Sequence, residues 1–166
     1  MATETNQAWV QIGEQRLPQL NLPPFAANFR TSDKRNEIKC LSRKKFVALE
    51  PEEWVRQHWL HHLSQALNYP LGLISVEHPL NLNGMTRRAD IICHDRQGQA
   101  LLMVECKRHD VPLSKAVLDQ ILRYHLALKT PTILISNGMQ HQAFSAGTNG
   151  FEALDFLPLY PKNAEK

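Results

Sequence analysis

The sequence predicts an α/β fold with a mixed central sheet flanked by helices, and three observations predict it. Apolar segments follow the order helix, strand, strand, strand, helix, strand. The run Ala100 to Lys107 is dense enough in apolar residues to be a central strand. Thr132 to Ser136 follows a crossover helix and should therefore lie parallel to an earlier strand. The chain has 166 residues, the length of about one domain. Hydrophobic residues make up 43% and charged residues 21%, which excludes a disordered chain and leaves enough apolar surface for an ordinary core.

Residues 1–24 are polar and end in Pro23-Pro24, so the expectation there is an extended or partly ordered N-terminal arm. Residues 25–49 read as a hairpin, with Phe46 to Leu49 as its clearer strand. The core of the fold is assigned to residues 50–146. Glu50-Pro51-Glu52-Glu53 opens its first helix, because Pro suits the first turn and acidic side chains complement the positive end of the helix dipole. Val55, Trp59, Leu60, Leu63, Ala66 and Leu67 then form one apolar stripe. Helical phase puts Glu52 on the middle of that stripe with Arg56 near it, and Glu53 well to one side. Two readings of Glu52 stand side by side: an internal ion pair with Arg56, or a catalytic acid.

Asn68-Tyr69-Pro70 ends the helix. Leu73 to Leu82 and Thr86 to His94 are strands joined by Asn83-Gly84, the strongest two-residue hairpin signal. Asp95-Arg96-Gln97-Gly98 turns the chain into the Ala100 to Lys107 strand. Ser114 caps a second helix lined by Val117, Leu118, Ile121, Leu122 and Leu126, which Thr130-Pro131 stops. A strand at Gln142 to Ala146 and a turn around Asn149-Gly150 follow. Residues 147–166 read as a tail that packs on the core or extends it.

The formal net charge is +3, which tolerates an anionic partner without requiring one. Between Ala27 and Ala48, however, seven basic residues face only Asp33 and Glu37. Such a patch suits phosphate contacts, and it equally suits a solvated edge protected against aggregation. Arg43, Lys44 and Lys45, with Arg87 and Arg88 further on, are the candidate nucleic-acid contacts. The three cysteines contain no CxxC pair, which argues against a disulfide framework or a thiolate zinc site. No signal-peptide core and no membrane-length apolar run is present, so a reducing cytoplasm is the expected setting.

Glu105 and Lys107 are two residues apart in a strand and leave one face, while Leu102, Val104 and Cys106 leave the other. An antiparallel neighbour joined by a tight turn brings Asp90 beside Glu105. Two carboxylates and an amine at one sheet end suit metal-assisted phosphodiester hydrolysis. Mg2+, or Mn2+ in its place, binds through one or two carboxylates and keeps waters. Asp90 and Glu105 would hold the ion, the backbone carbonyl of Cys106 can add a ligand, and Lys107 would orient the attacking water and offset developing negative charge.

Asp90, Glu105 and Lys107 in that order resemble the active site of the PD-(D/E)xK nuclease superfamily. More closely, Arg88-Ala89-Asp90-Ile91-Ile92, Leu102 to Lys107 and Leu118 to Tyr124 resemble the N-terminal nuclease domain of type I restriction enzyme R subunits. The run Arg43 to Leu49 into Pro51 to Gln57 is similar to small standalone bacterial proteins built around that domain. The resemblance implies a restriction-endonuclease-like core, with Asp90 and Glu105 as metal ligands and Lys107 as the catalytic lysine. It further implies that Gln120 and Tyr124 are the QxxxY element bordering the site, and that Glu52 is the acid of the first helix. Ala89 stands where the superfamily's name has Pro, a change the type I branch tolerates. No translocase follows the matched motifs in these 166 residues, so restriction activity is not expected to carry over from the resemblance.

Two hypotheses follow. The chain is either a Mg-dependent deoxyribonuclease or a catalytically silent nucleic-acid-binding or scaffold module acting with an unidentified protein partner. DNA is the expected ligand, and a homodimer is compatible with a site that cleaves one strand. His58, His61 and His62 have zinc-chelating spacing, but the same helical phase turns them away from the apolar stripe and favours solvated side chains. Cys106 points to the apolar face and reads as packing.

Overall fold

A computed structural model describes residues 8–162. The parts of the expected arm before Ala8 and of the tail after Lys162 lie outside the described residues. In place of an extended arm, strands β1 (Trp9–Ile12) and β2 (Gln15–Pro18) form a hairpin turned by Gly13-Glu14. Gly13 takes a positive φ of 58°, a conformation that favours glycine. The hairpin and the residues after it are packed. Leu17 and Leu20 are buried, Trp54 Nε1 donates to the Pro18 carbonyl at 3.0 Å, and Asn21 N donates to the Gly138 carbonyl at 2.8 Å. Four-residue strands with mixed polarity are too short to show a period, which is why the sequence pattern understates them.

Strands β3 (Phe29–Ser32), β4 (Arg35–Lys39) and β5 (Phe46–Ala48) make a second, three-stranded antiparallel sheet. Its hairpin turns at Asp33-Lys34, and β5 joins as a third strand. Helix α1 (Pro51–Gln65) follows, with Pro in its first turn and Glu52 and Glu53 at its N-terminal end.

A single 3-10 turn at Leu71–Leu73 leads into β6 (Ile74–Leu82), β7 (Met85–His94) and β8 (Ala100–Cys106), an antiparallel meander whose first turn is Asn83-Gly84. Helix α2 (Lys115–Leu128), capped by Ser114, crosses to β9 (Thr132–Ser136), which pairs parallel with β8. Strands β10 (His141–Gly147) and β11 (Gly150–Leu154) close the sheet in the order β11-β10-β9-β8-β7-β6. The protein is therefore α/β with a six-stranded mixed sheet. After β11, Tyr160 N donates to the Leu67 carbonyl at 2.9 Å and the Tyr69 hydroxyl donates to the Pro158 carbonyl at 3.1 Å, so the C-terminal segment returns to the end of α1.

Alternation along β8 divides the core. Leu102, Val104 and Cys106 pack with Val55, Trp59, Leu60 and Leu63 of α1, whereas Met103 packs with Ile121 and Tyr124 of α2. The two helices cover opposite faces. Strands β6 and β7 exchange faces part-way along: Val76 and Ile91 lie in the α1-side core, but Leu80 and Ala89, which have the same parity, lie in the α2-side core. The exchange falls at Glu77 and Asp90, between the paired positions Val76↔Ile91 and His78↔Ala89, and Glu77 there takes a φ of 52°. A positive φ at a residue with a Cβ is a local strain, and such strain concentrates at functional sites.

The three histidines are the clearest departure from the solvated face expected of them. His58 is buried, with Nδ1 against the Trp54 carbonyl at 2.9 Å, His61 stacks on Phe25 at 3.9 Å, and His62 meets the edge of Trp59 at 5.5 Å. The N-terminal segment covers the side of α1 that faces away from the sheet, and burial pushes the His58 pKa down to about 4. Among the described residues no group of three His, Cys, Asp or Glu side chains converges to hold a metal.

If the N-terminal hairpin belongs to the core, Leu17→Ala should cost about 2–5 kcal/mol in urea unfolding, the range for truncating a buried leucine. A change below about 0.5 kcal/mol would match a surface position and contradict the packing.

Candidate functional site

The site is built where β7, β8 and the N-terminal half of α1 meet. The ladder pair Ile91↔Val104 places Asp90 and Glu105 at the next position, in a register set by a one-residue shift at Cys93/His94 between the turn and the site. Asp90 and Glu105 are both buried. Cys106 N donates to Asp90 Oδ2 at 2.8 Å, and Arg56 Nη2 donates to Asp90 Oδ1 at 2.6 Å. Lys107 Nζ donates to Glu105 Oε1 at 3.1 Å, while Glu105 Oε2 is buried and accepts no hydrogen bond among the described residues.

Charge explains the pKa pattern. Burial, and then the neighbouring Asp90 carboxylate, push the Glu105 carboxyl up to about 8, against the pull of Lys107. Burial works against the Lys107 ammonium, but Glu105, Glu52 and Asp90 outweigh it and raise its pKa. Arg56 behaves likewise, with burial overcome by Asp90 and Glu53. Cys106 lies in the α1-side core, where burial raises its thiol well above the ordinary range. That side chain is packing, as its strand phase indicates. Cys106 also gives the site its amide, which holds Asp90 Oδ2.

Glu52 and Glu53 exchange the positions that helical phase assigns them. Glu53 is the buried acid, held by Arg43 Nη2 at 2.9 Å, Gln57 Nε2 at 2.7 Å and Arg56 Nη1. Glu52 is half-exposed, and its Oε1 lies 3.7 Å from Arg56 Nη2. Burial and Asp90 raise its pKa, so it faces the carboxylates from the rim. The single-stripe reading fails because α1 is covered on more than one side.

The basic candidates separate. Arg43 is bound to Glu53 and, through Nη1 at 2.9 Å, to Glu77, so it belongs to the buried network. Lys44, Lys45, Arg87 and Arg88 are exposed. Gln120 Nε2 donates to the Tyr124 hydroxyl at 3.3 Å, and both residues line a groove of about 690 Å³ with Asn81, Arg87 and Arg123. Neither hydrogen-bonds to Asp90, Glu105 or Lys107 among the described residues. Sequence reasoning missed Glu53, Glu77 and the Arg56–Asp90 contact. The last joins residues 34 positions apart and has no local signal.

Five carboxylates (Glu52, Glu53, Glu77, Asp90, Glu105) are coupled to three cations (Arg43, Arg56, Lys107), an excess of two negative charges when all are ionised. A proton on Glu105 or a divalent cation can offset that excess. Two facing carboxylates and the unpartnered Glu105 Oε2 fit a hard ion such as Mg2+ or Mn2+ that retains water. A cage made wholly of protein ligands does not fit, since no third such ligand converges among the described residues.

Fold and site together define an α/β domain whose central strands carry paired acids and a lysine at one end of the sheet. Residues 51–158 match the family described as the type I restriction enzyme R protein N terminus, and the chain belongs to that family. Comparison with curated proteins and with solved structures gives no significant match.

Glu105 binds its proton more tightly folded than unfolded, so stability present below the ordinary carboxyl range is lost as pH rises toward about 8. Glu105→Gln keeps the shape without the charge. In chelator it should melt above the wild type at about pH 9, with the gap narrowing toward about pH 5, by calorimetry. Equal melting across that range would contradict the burial of Glu105 beside Asp90.

Proposed function

We propose that the protein is a divalent-metal-dependent DNA endonuclease-like enzyme that hydrolyses phosphodiester bonds. The carrying observation is the buried, charge-imbalanced pair Asp90 and Glu105 with the Lys107 ammonium on one of them. Asp90 and Glu105 would hold Mg2+ or Mn2+, which when bound supplies charge for the scissile phosphate and activates water. Lys107 is an ammonium at neutral pH. Fixed beside Glu105, it orients the attacking water through a donated hydrogen bond and stabilises negative charge developing on phosphorus oxygens. Family membership supports a nuclease-related role in a restriction system, with DNA and other subunits as partners.

The groove lined by Arg87, Gln120, Arg123 and Tyr124 offers DNA a cationic path toward the site. Arg87 is three residues from Asp90 on the same strand, about 10 Å along it. Exposed arginines at that distance suit contacts to phosphates flanking the scissile one.

A silent binding module has one observation in its favour: both oxygens of Asp90 already accept hydrogen bonds, from Arg56 and from Cys106 N. The two readings separate on plasmid DNA. With Mg2+ or Mn2+ the wild type should nick or cleave it, and Lys107→Ala should lose about 10²-fold or more of that rate while still folding, as read by circular dichroism and a cooperative melt. Equal inertness of both proteins across metals and DNA forms would favour the module. Arg87→Ala and Arg123→Ala should each weaken DNA binding evenly across sequences and lower the slope of log affinity against log salt by about 1. Unchanged slopes would remove the groove from the DNA path.

A further inference from the structure

Resting on the metal-dependent reading above, we propose that Arg56 is the built-in counter-ion of Asp90, that it competes with the divalent cation for this carboxylate, and that Glu52 is the acceptor to which it is handed over. The geometry is particular to one nitrogen. Arg56 Nη2 sits 2.6 Å from Asp90 Oδ1 and 3.7 Å from Glu52 Oε1, so a small movement exchanges one carboxylate for the other. The other end of the guanidinium stays anchored through Nη1 on Glu53, which Arg43 and Gln57 hold in turn. Buried Asp90 is fixed on its strand by Cys106 N, whereas Glu52 has a side chain 42% exposed and is free to meet the arginine. Arg56 is thus a positioning residue with a rigid pivot and two alternative partners.

The logic is electrostatic. While Nη2 stays on Asp90, one of the two oxygen sets that would grip the ion is engaged by a positive charge, and a second cation is repelled. Transfer to Glu52 frees Asp90 Oδ1, keeps Arg56 paired and places no unpaired charge in the interior. The cation then binds at the cost of breaking one contact and making another. Metal affinity is consequently set by α1 as well as by the two strands.

The test is Mn2+ binding to the full chain, read by the loss of the free-ion electron paramagnetic resonance signal and by titration calorimetry. Arg56→Gln should bind Mn2+ about tenfold tighter than the wild type, a common size for coupling between two binding events. Glu52→Gln should bind several-fold more weakly when Arg56 is present and should have no effect in the Arg56→Gln background. If Glu52 were itself a ligand, its loss would weaken binding in both backgrounds, which would overturn the hand-over. Equal or weaker binding by Arg56→Gln would overturn the competition. Should Arg56→Gln fail to fold, Glu53→Gln combined with it removes the acid left without its arginine, and the same comparison is made on that pair. Failure of every protein to bind Mn2+ would remove the metal from the proposed function and this inference with it. Binding by the wild type that Arg56→Gln does not tighten sinks the inference alone.

Discussion

Two carboxylates buried side by side are an unfavourable arrangement, and much of the local structure around them is a response to it. Burial disfavours each ionised acid and their proximity adds repulsion. The protein answers with Arg56 on Asp90, Lys107 on Glu105 and a second tier in which Arg43 ties Glu53 to Glu77. Even so, negative charge exceeds positive, and Glu105 keeps an oxygen without a partner. A purely structural ion-pair network would gain from being balanced. This one is left short, and either a proton on Glu105 or the proposed cation makes up the difference.

The fold makes that arrangement attainable. A meander brings Asp90 and Glu105 to neighbouring strands, and the crossover to β9 fills the other side of β8, so that the Lys107 amide is held by the Ser136 carbonyl at 2.8 Å. The exchange of faces at Glu77 and Asp90 leaves Asp90 at the boundary between the two cores, within reach of α1. Helix α1 is pinned from behind by the N-terminal segment, with Gly138 close against Leu20 and Val55. A Cβ at Gly138 would come within 2.8 Å of Leu20 Cδ2. The side chains that hold the arginine are thus fixed by packing on both flanks of the helix.

What was legible in the sequence was what local rules govern. Asn83-Gly84 fixes the register of β6 on β7, the Asp95 to Gly98 turn brings β8 back beside β7, and period-two alternation puts Glu105 and Lys107 on one face. Those rules, short of the register shift at Cys93/His94 that sets the two residues level, bring Asp90 to Glu105. They say nothing about which side of α1 is covered, because that depends on a hairpin of two four-residue strands and on the Pro23 to Phe25 segment. For that reason His58, against Phe25, went from solvent to interior, while Glu53 and Arg43 are drawn into a network with Arg56, Gln57 and Glu77 that joins the β4–β5 connection, α1 and β6 and has no local signal. Gln120 and Tyr124 share a helix face as their spacing requires, and they line a groove with Arg87 of β7. That detail depends on where α2 crosses the sheet.

In the proposed function, Asp90 and Glu105 share one cation. Anomalous diffraction from crystals soaked in Mn2+ tests it most directly. An anomalous peak is expected within bonding distance of oxygens from both side chains, with Arg56 drawn away from Asp90. Density that keeps Arg56 on Asp90, with no peak between the acids or with Mn2+ found only elsewhere, would contradict it.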